Sequence, residues 1–185
     1  MKRVDVAAAV LRRSDGSVLL GQRAEGTFYP GYWEFPGGKV EPGETPAQAL
    51  VRELAEELEI AVAPEDVLPW VVRKHAYAHA HVRLHFFRIG RWSGEPRARV
   101  HAALAWVKPP QQTVAPMLPA NGPVWKFLAL SPRMLVSGVT ALLESGESLA
   151  VALERQEAAL VRARALGPVL VQVSRPGFSP SLVCA

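Results

Sequence analysis

Between Gly38 and Ile60 the chain compresses glycine, acid and helix signals into 23 residues, and no other stretch restricts its fold and chemistry so tightly. Gly38-Lys39-Val40-Glu41-Pro42-Gly43-Glu44 leads, seven residues later, into Arg52-Glu53-Leu54-Ala55-Glu56-Glu57-Leu58-Glu59-Ile60. Between them, Thr45, Pro46 and Gln48 take the N-cap, N1 and N3 positions of a capping box. The spacing predicts a helix over 46–58. On it Glu53, Glu56 and Glu57 stand at i, i+3 and i+4 and share one face. Like charges so placed cost roughly a few tenths of a kcal/mol per pair. A hard cation bound by oxygen ligands, Mg²⁺ or Mn²⁺, turns that repulsion into coordination. Gly37, Gly38 and Gly43 fall in the loop before the helix, where backbone can approach an anion and the helix N-terminus favours negative charge. A merely solvated acidic face, the usual reading of a charge run, would not also need this glycine pair and Glu44 at a fixed distance.

These residues resemble the Nudix box, GX5EX7REUXEEXGU with U a bulky aliphatic residue. Gly38, Glu44, Arg52, Glu53, Leu54, Glu56, Glu57 and Ile60 fall on its positions. Position 59 departs: the pattern has Gly where this chain has Glu59. A side chain in a left-handed helix cap costs roughly 1–2 kcal/mol, so a loss of stability or a changed helix exit is expected there. The resemblance implies an α/β/α sandwich with a mixed sheet. It implies a hydrolase of phosphoric anhydride bonds in small nucleotides, with Glu53, Glu56, Glu57 and the Gly37 carbonyl holding Mg²⁺ or Mn²⁺. In it Glu53 or a neighbouring carboxylate takes the proton of the attacking water, and Arg52 pairs with Glu44 to fix the loop against the helix.

Beyond the box, Leu19-Leu20-Gly21-Gln22-Arg23 and Tyr32-Trp33-Glu34-Phe35-Pro36-Gly37-Gly38 look like the MutT-like branch, which converts oxidised purine nucleotides such as 8-oxo-dGTP to the monophosphate and pyrophosphate. This resemblance implies that Arg23 and Phe35 line the nucleotide pocket. It also implies that Asn121, within Leu118-Pro119-Ala120-Asn121-Gly122-Pro123, reads the purine edge. An amide that donates and accepts suits a base whose oxidation at C8 turns N7 from acceptor into donor. On the residues alone, Phe35 reads equally as a core aromatic, Arg23 as a strand-end surface residue and Asn121 as a helix cap or turn. A further Glu common among relatives falls at Val100, and a neighbouring Gln at Ala102. Their loss keeps two alternatives open: hydrolysis of another nucleoside diphosphate derivative, or a regulatory module that binds nucleotides without turning them over.

The run His75-Ala76-Tyr77-Ala78-His79-Ala80-His81 alternates imidazoles and a phenol with alanine, which reads as one face of a strand, with a transition-metal site as the sharper alternative. The remaining pattern predicts strands at 3–13, 17–23, 67–78, 81–92 and 103–107, and a helix over 122–130. That places a Nudix-like domain over 1–130 and an extension over 131–185. In the extension a short apolar segment, a helix over 147–166 and a strand over 169–173 resemble the opening of a fused thiamine-phosphate-synthase-like domain. Single Cys184, the absence of a signal-peptide pattern and the lack of any apolar run of membrane-spanning length point to a cytoplasmic protein with no membrane partner. The net charge of +4 without a Lys/Arg cluster argues for small anionic ligands over direct nucleic-acid binding, in a monomer or homodimer.

Overall fold

Strand β1 (Arg3–Leu11) is buried without interruption from Ala7 to Leu11, the signature of a strand covered on both faces. The computed structural model describes residues 3–78, 80–128, 130, 134–136, 146, 148–165, 170–173 and 181–184. The chain divides into two compact units, Met1–Phe127 and Leu128–Ala185.

In the first unit β1 pairs in parallel with β5 (His81–Ile89), which pairs antiparallel with β4 (Leu68–Ala76). The register sets Ala7, Ala9 and Leu11 beside His85, Phe87 and Ile89, and Ala8 beside Phe86. Strand alternation sends these two sets to opposite faces. Helix α1 (Pro46–Leu58) covers the first face, with Ala49, Leu50, Leu54 and Leu58 fully buried against Ala9, Leu11, Phe87 and Ile89. On the other face Phe35 meets Phe86 edge-on, at 5.6 Å between ring centroids, and Trp125 of helix α2 (Gly122–Leu128) lies 6.4 Å beyond Phe35. This is the helix–sheet–helix layering expected of the sequence.

A second sheet, ordered β3-β2-β6, joins β2 (Val18–Arg23) to β3 (Trp33–Glu34) and β6 (His101–Val107). One mixed sheet was expected; two form, because the free edge of β1 is taken by the segment leading into the glycine loop. The Ala9, Ala7 and Val40 N–H groups donate to the Pro36, Gly38 and Asp5 carbonyls at 2.8, 2.9 and 3.0 Å. The loop that precedes α1 is thereby stitched to β1.

The alternating histidine run is not one strand. His75 lies in β4 beside its last residue Ala76, the Tyr77 N–H donates to the Ala80 carbonyl, and His81 opens β5 opposite Ala76; His79 lies outside the described residues. No three His, Cys, Asp or Glu side chains gather as a metal-holding group among the described residues. None of the described helices is long and apolar enough to cross a membrane.

In the second unit β7 (Met134–Val136) pairs in parallel with β8 (Leu170–Val173), with helix α3 (Leu149–Ala165) between them in sequence. The parallel pair matches the expected strand–helix–strand order. A further strand, β9 (Ser181–Cys184), adds antiparallel to β8 and was not anticipated.

Candidate active site

Helix α1 starts where its capping box requires. The Thr45 hydroxyl accepts the Gln48 N–H at 3.3 Å, and the Gln48 side chain accepts the Thr45 N–H at 2.8 Å. It ends at Glu59 in the left-handed conformation, φ 57° and ψ 33°. The Glu59 carboxylate meets Arg99 at 2.6 Å and Arg97 at 3.7 Å. The Arg97 and Arg99 N–H groups also donate to the Leu58 and Glu57 carbonyls, occupying acceptors that the helix end leaves open. The strained residue thus anchors the 97–100 loop to the helix that bears the carboxylates.

Gly37 and Gly38 make the approach of loop to helix possible. Gly37 has φ 137°, and a Cβ on it would lie 2.2 Å from the Ala7 carbonyl oxygen. A Cβ on Gly38 would lie 2.2 Å from the Glu53 carboxylate carbon. Glu53 therefore occupies the space that a side chain at 38 would fill, while the Gly37 N–H donates to Glu57 Oε2 at 3.2 Å. Of the carbonyls here, β1 engages those of Pro36 and Gly38, on either side of Gly37.

Arg52 organises the acidic face. It donates to both Glu44 oxygens, at 2.6 and 3.3 Å, and to the Lys39 carbonyl at 3.1 Å, and it contacts Glu53 at 3.1 Å and Glu56 at 3.3 Å. Its hydrogen bonds hold the Glu44 carboxyl below the ordinary carboxylate range, with the Glu41 N–H adding to the effect. Glu56 stays largely exposed, at 60% of its side-chain surface. The three carboxylates share a helix face as their spacing requires, yet they do not converge in a set of three. Uncompensated negative charges repel, and Arg52 draws Glu56 outward.

Glu53 and Glu57 do face the glycine loop. Burial pushes the Glu57 carboxyl up to about 8, with the Glu53 charge adding to the effect and the Gly37 N–H opposing it. Glu53 is raised too, chiefly by burial, against the pull of Arg52. Two half-buried carboxylates that each disfavour the other's charge form an oxygen donor set suited to a hard divalent cation, because a cation reverses the sign of their interaction.

From this loop a cavity of about 920 Å³ runs past Gly37 and Gly38 to Arg23, Phe35, Tyr29, Tyr77, Leu84 and Asn121. Arg23 lines it, but its guanidinium is committed. It donates to both Glu34 oxygens at 2.7 and 2.8 Å and to the Phe28 carbonyl at 2.6 Å. Glu34 is nonetheless raised, because its burial outweighs Arg23. Asn121 is held in two ways. The Trp33 N–H and carbonyl bond Pro116 and Leu118 at 2.8 Å each, and the Asn121 N–H bonds the Leu118 carbonyl at 2.8 Å. Asn121 precedes α2 and also borders the cavity, 2% exposed, so its cap-like and pocket positions coincide. Val100 is exposed on the 97–100 loop.

Three contributors lie outside the expected site residues. His101, 4% exposed, packs under Gly21 with Nε2 3.9 Å from Glu34, and burial and Arg23 lower its pKa. Tyr29, at φ 61°, packs its ring on Tyr32 and Tyr77. Glu34 itself carried a readable signal: a carboxylate between two apolar aromatics needs a cationic partner if buried, and Arg23 was in reach through the β2–β3 pairing.

Residues 1–128 match the NUDIX domain. The chain belongs to the Nudix family. It is 40% identical to the CTP pyrophosphohydrolase of Escherichia coli K12 over 131 residues, covering 70% of this chain and 95% of the relative. It is 32% identical to the 8-oxo-dGTP diphosphatase of the same organism over 124 residues, 67% of this chain and 95% of the relative. A solved MutT structure, from work on Aliivibrio salmonicida and Vibrio cholerae, superimposes with a TM-score of 0.58 at 31% identity over 69% of this chain and 98% of its own. This Nudix chain is a MutT-like hydrolase of phosphoric anhydride bonds.

Proposed function

We propose that this Nudix hydrolase is a Mg²⁺-dependent nucleoside triphosphate pyrophosphohydrolase of the cytoplasm, converting 8-oxo-dGTP to 8-oxo-dGMP and pyrophosphate. The observation that carries the reading is one continuous cavity lined by the glycine loop and by buried Asn121, with Glu53 and Glu57 packed against Gly38 and Gly37 of that loop. A triphosphate entering it would set its base by Phe35 and Asn121 and its phosphates over Gly37 and Gly38.

Glu53, Glu57 and the Gly37 carbonyl would hold the cation, joined by Glu56 once it leaves Arg52. Bound there, a divalent cation supplies charge neutralisation at phosphorus and a more acidic water. The chain's own residues do the rest. Glu53, ionised and braced by Arg52 at 3.1 Å, accepts the proton of the attacking water. Arg52, bidentate on Glu44, keeps the loop docked so that Gly38 cannot drift from Glu53. Arg23 and Glu34 brace the Phe28 carbonyl and so the rim of the base pocket.

The 40% identity to a CTP pyrophosphohydrolase favours a second reading, in which a cytosine nucleotide is the preferred substrate. Steady-state kcat/KM for 8-oxo-dGTP, dGTP and CTP, with products separated, decides between them. Preference for 8-oxo-dGTP with pyrophosphate release supports the first reading, and preference for CTP replaces it with the second.

A further inference from the structure

Like charges directly opposite each other on one face of a sheet destabilise it. The register of the first sheet nevertheless sets Lys74 opposite Arg83, and Arg3 opposite the titratable His81. Strand alternation sends these four side chains and Asp5 to one face, the face that α1 covers from Ala7 onward. Asp5 answers only part of the positive charge. Arg83 donates to its two oxygens at 2.5 and 3.0 Å, and His85 Nε2 stands 2.7 Å from it. The exposed Arg3 and Lys74 side chains have no hydrogen-bond or ion-pair partner among the described residues. No run of basic residues in the sequence announces this group, because the pairing of three strands assembles it.

These side chains wall a second cavity, of about 480 Å³. Asp5 is the one carboxylate in that wall among the described residues, against Arg3, Lys74 and Arg83. Three cations and one anion leave a charge of +2 while the histidines are neutral. Neither the glycine pair nor a carboxylate of α1 contributes to the wall, which shares Arg3, Val4, Asp5, Val82 and Arg83 with the larger cavity. We propose that this second cavity is a binding site for a phosphate dianion, held by Arg3, Lys74 and Arg83, beside the larger cavity and separate from the glycine loop. The Arg3 guanidinium offers a planar fork to two phosphate oxygens, and the Lys74 ammonium a mobile point charge to a third. A dianion matches the charge of the wall and turns the repulsion between Lys74 and Arg83 into shared attraction. The site does not depend on which nucleotide the larger cavity takes.

The test is equilibrium dialysis of the full chain against radiolabelled inorganic phosphate in EDTA, so that no divalent cation holds phosphate at the glycine loop. Wild type is compared with Arg3→Gln, Lys74→Gln and Glu53→Gln. The expected result is saturable binding, one phosphate to a chain, that is about 3- to 10-fold weaker in Arg3→Gln and in Lys74→Gln, each of which removes a charge-assisted contact at a solvent-screened site. Glu53→Gln should bind as wild type does. Absence of saturable binding by the wild-type chain overturns the proposal, and so does wild-type affinity in both Arg3→Gln and Lys74→Gln. Tighter binding by Glu53→Gln overturns it as well, because relief of repulsion there places the phosphate at the glycine loop. Free phosphate and a phosphate carried by a nucleotide share this chemistry. Where binding depends on Lys74, label retained at saturating dGMP supports a site for free phosphate, and label displaced by dGMP supports a site for the nucleotide's own phosphate.

Discussion

Adjacent glycines in the loop should respond oppositely to the same added methyl group. In Gly38→Ala the new Cβ meets the Glu53 carboxylate carbon and Oε1 at 2.2 Å, where about 3.5 Å is needed for contact without overlap. The obstacle is the far end of a flexible side chain, so the carboxylate retreats by roughly 1 Å and the fold survives. Gly38 is not in a positive-φ conformation, so alanine also lowers the entropy of the unfolded chain, a gain of about 0.4–1 kcal/mol. A displacement of about 1 Å at a reacting group costs about 100-fold in rate. Gly37→Ala meets instead the Ala7 carbonyl oxygen at 2.2 Å and Ala8 Cα at 3.0 Å, with φ at 137°. Those atoms belong to the backbone of the buried strand β1 and cannot retreat, so a loss of about 3 kcal/mol or more is expected. Urea denaturation and Mg²⁺-dependent turnover, measured on both variants, separate the effects. Gly38→Ala should keep its urea midpoint and lose turnover, and Gly37→Ala should lose its midpoint. Gly38→Ala with wild-type turnover, or the two variants with equal midpoints, refutes the packing argument.

Two further outcomes follow from Glu59 and Asp5. Glu59→Gly removes a strained left-handed residue, a gain of about 1 kcal/mol, and also its partly exposed contacts to Arg99 and Arg97, worth about 0.2–1 kcal/mol each. The variant should be near neutral at low salt and more stable than wild type in 1 M salt, by roughly the strain term once the pairs are screened; destabilisation at high salt in a urea titration would contradict this. Asp5 is held down to about 2, first by its hydrogen bond from Arg83 and then by His85. Its folded-state pKa lies below the unfolded value of 3.8, so its contribution is present above 3.8 and lost as pH falls through 2. Asp5→Asn should therefore cost about 1 kcal/mol or less at pH 6, the pair being solvent-screened, and the gap should close as pH falls from about 4 toward 2; a gap independent of pH would exclude the carboxylate as its source.

Local grammar was the most readable part of this chain. Thr45, Pro46 and Gln48 set the start of α1, and Glu59 in place of Gly left open a strained cap or a changed helix exit, of which φ 57° shows the strained left-handed cap. Both are decided by residues within one or two helical turns. The placement of Glu56 was not readable, because it depends on whether Arg52 or a cation wins its carboxylate, a competition of charges that spacing does not encode. Strand β3 has two residues, too few for any periodicity, yet it holds the Pro116–Leu118 segment and so Asn121. The split into two sheets was hidden for a related reason. It follows from Pro36–Val40 pairing with the edge of β1, a contact between segments some thirty residues apart that carries no local signature. The commitment of Arg23 to Glu34 likewise arises only when β2 and β3 align.

The most direct test of the account is single-turnover hydrolysis of 8-oxo-dGTP at saturating Mg²⁺ by the wild-type chain and by Glu53→Gln, a change that removes charge without volume. With Glu53 beside Gly38 and braced by Arg52, the account predicts Mg²⁺-dependent release of pyrophosphate by the wild type and a fall of about 100-fold or more in the variant, with the urea midpoint unchanged. Turnover of the variant close to the wild-type rate would contradict it.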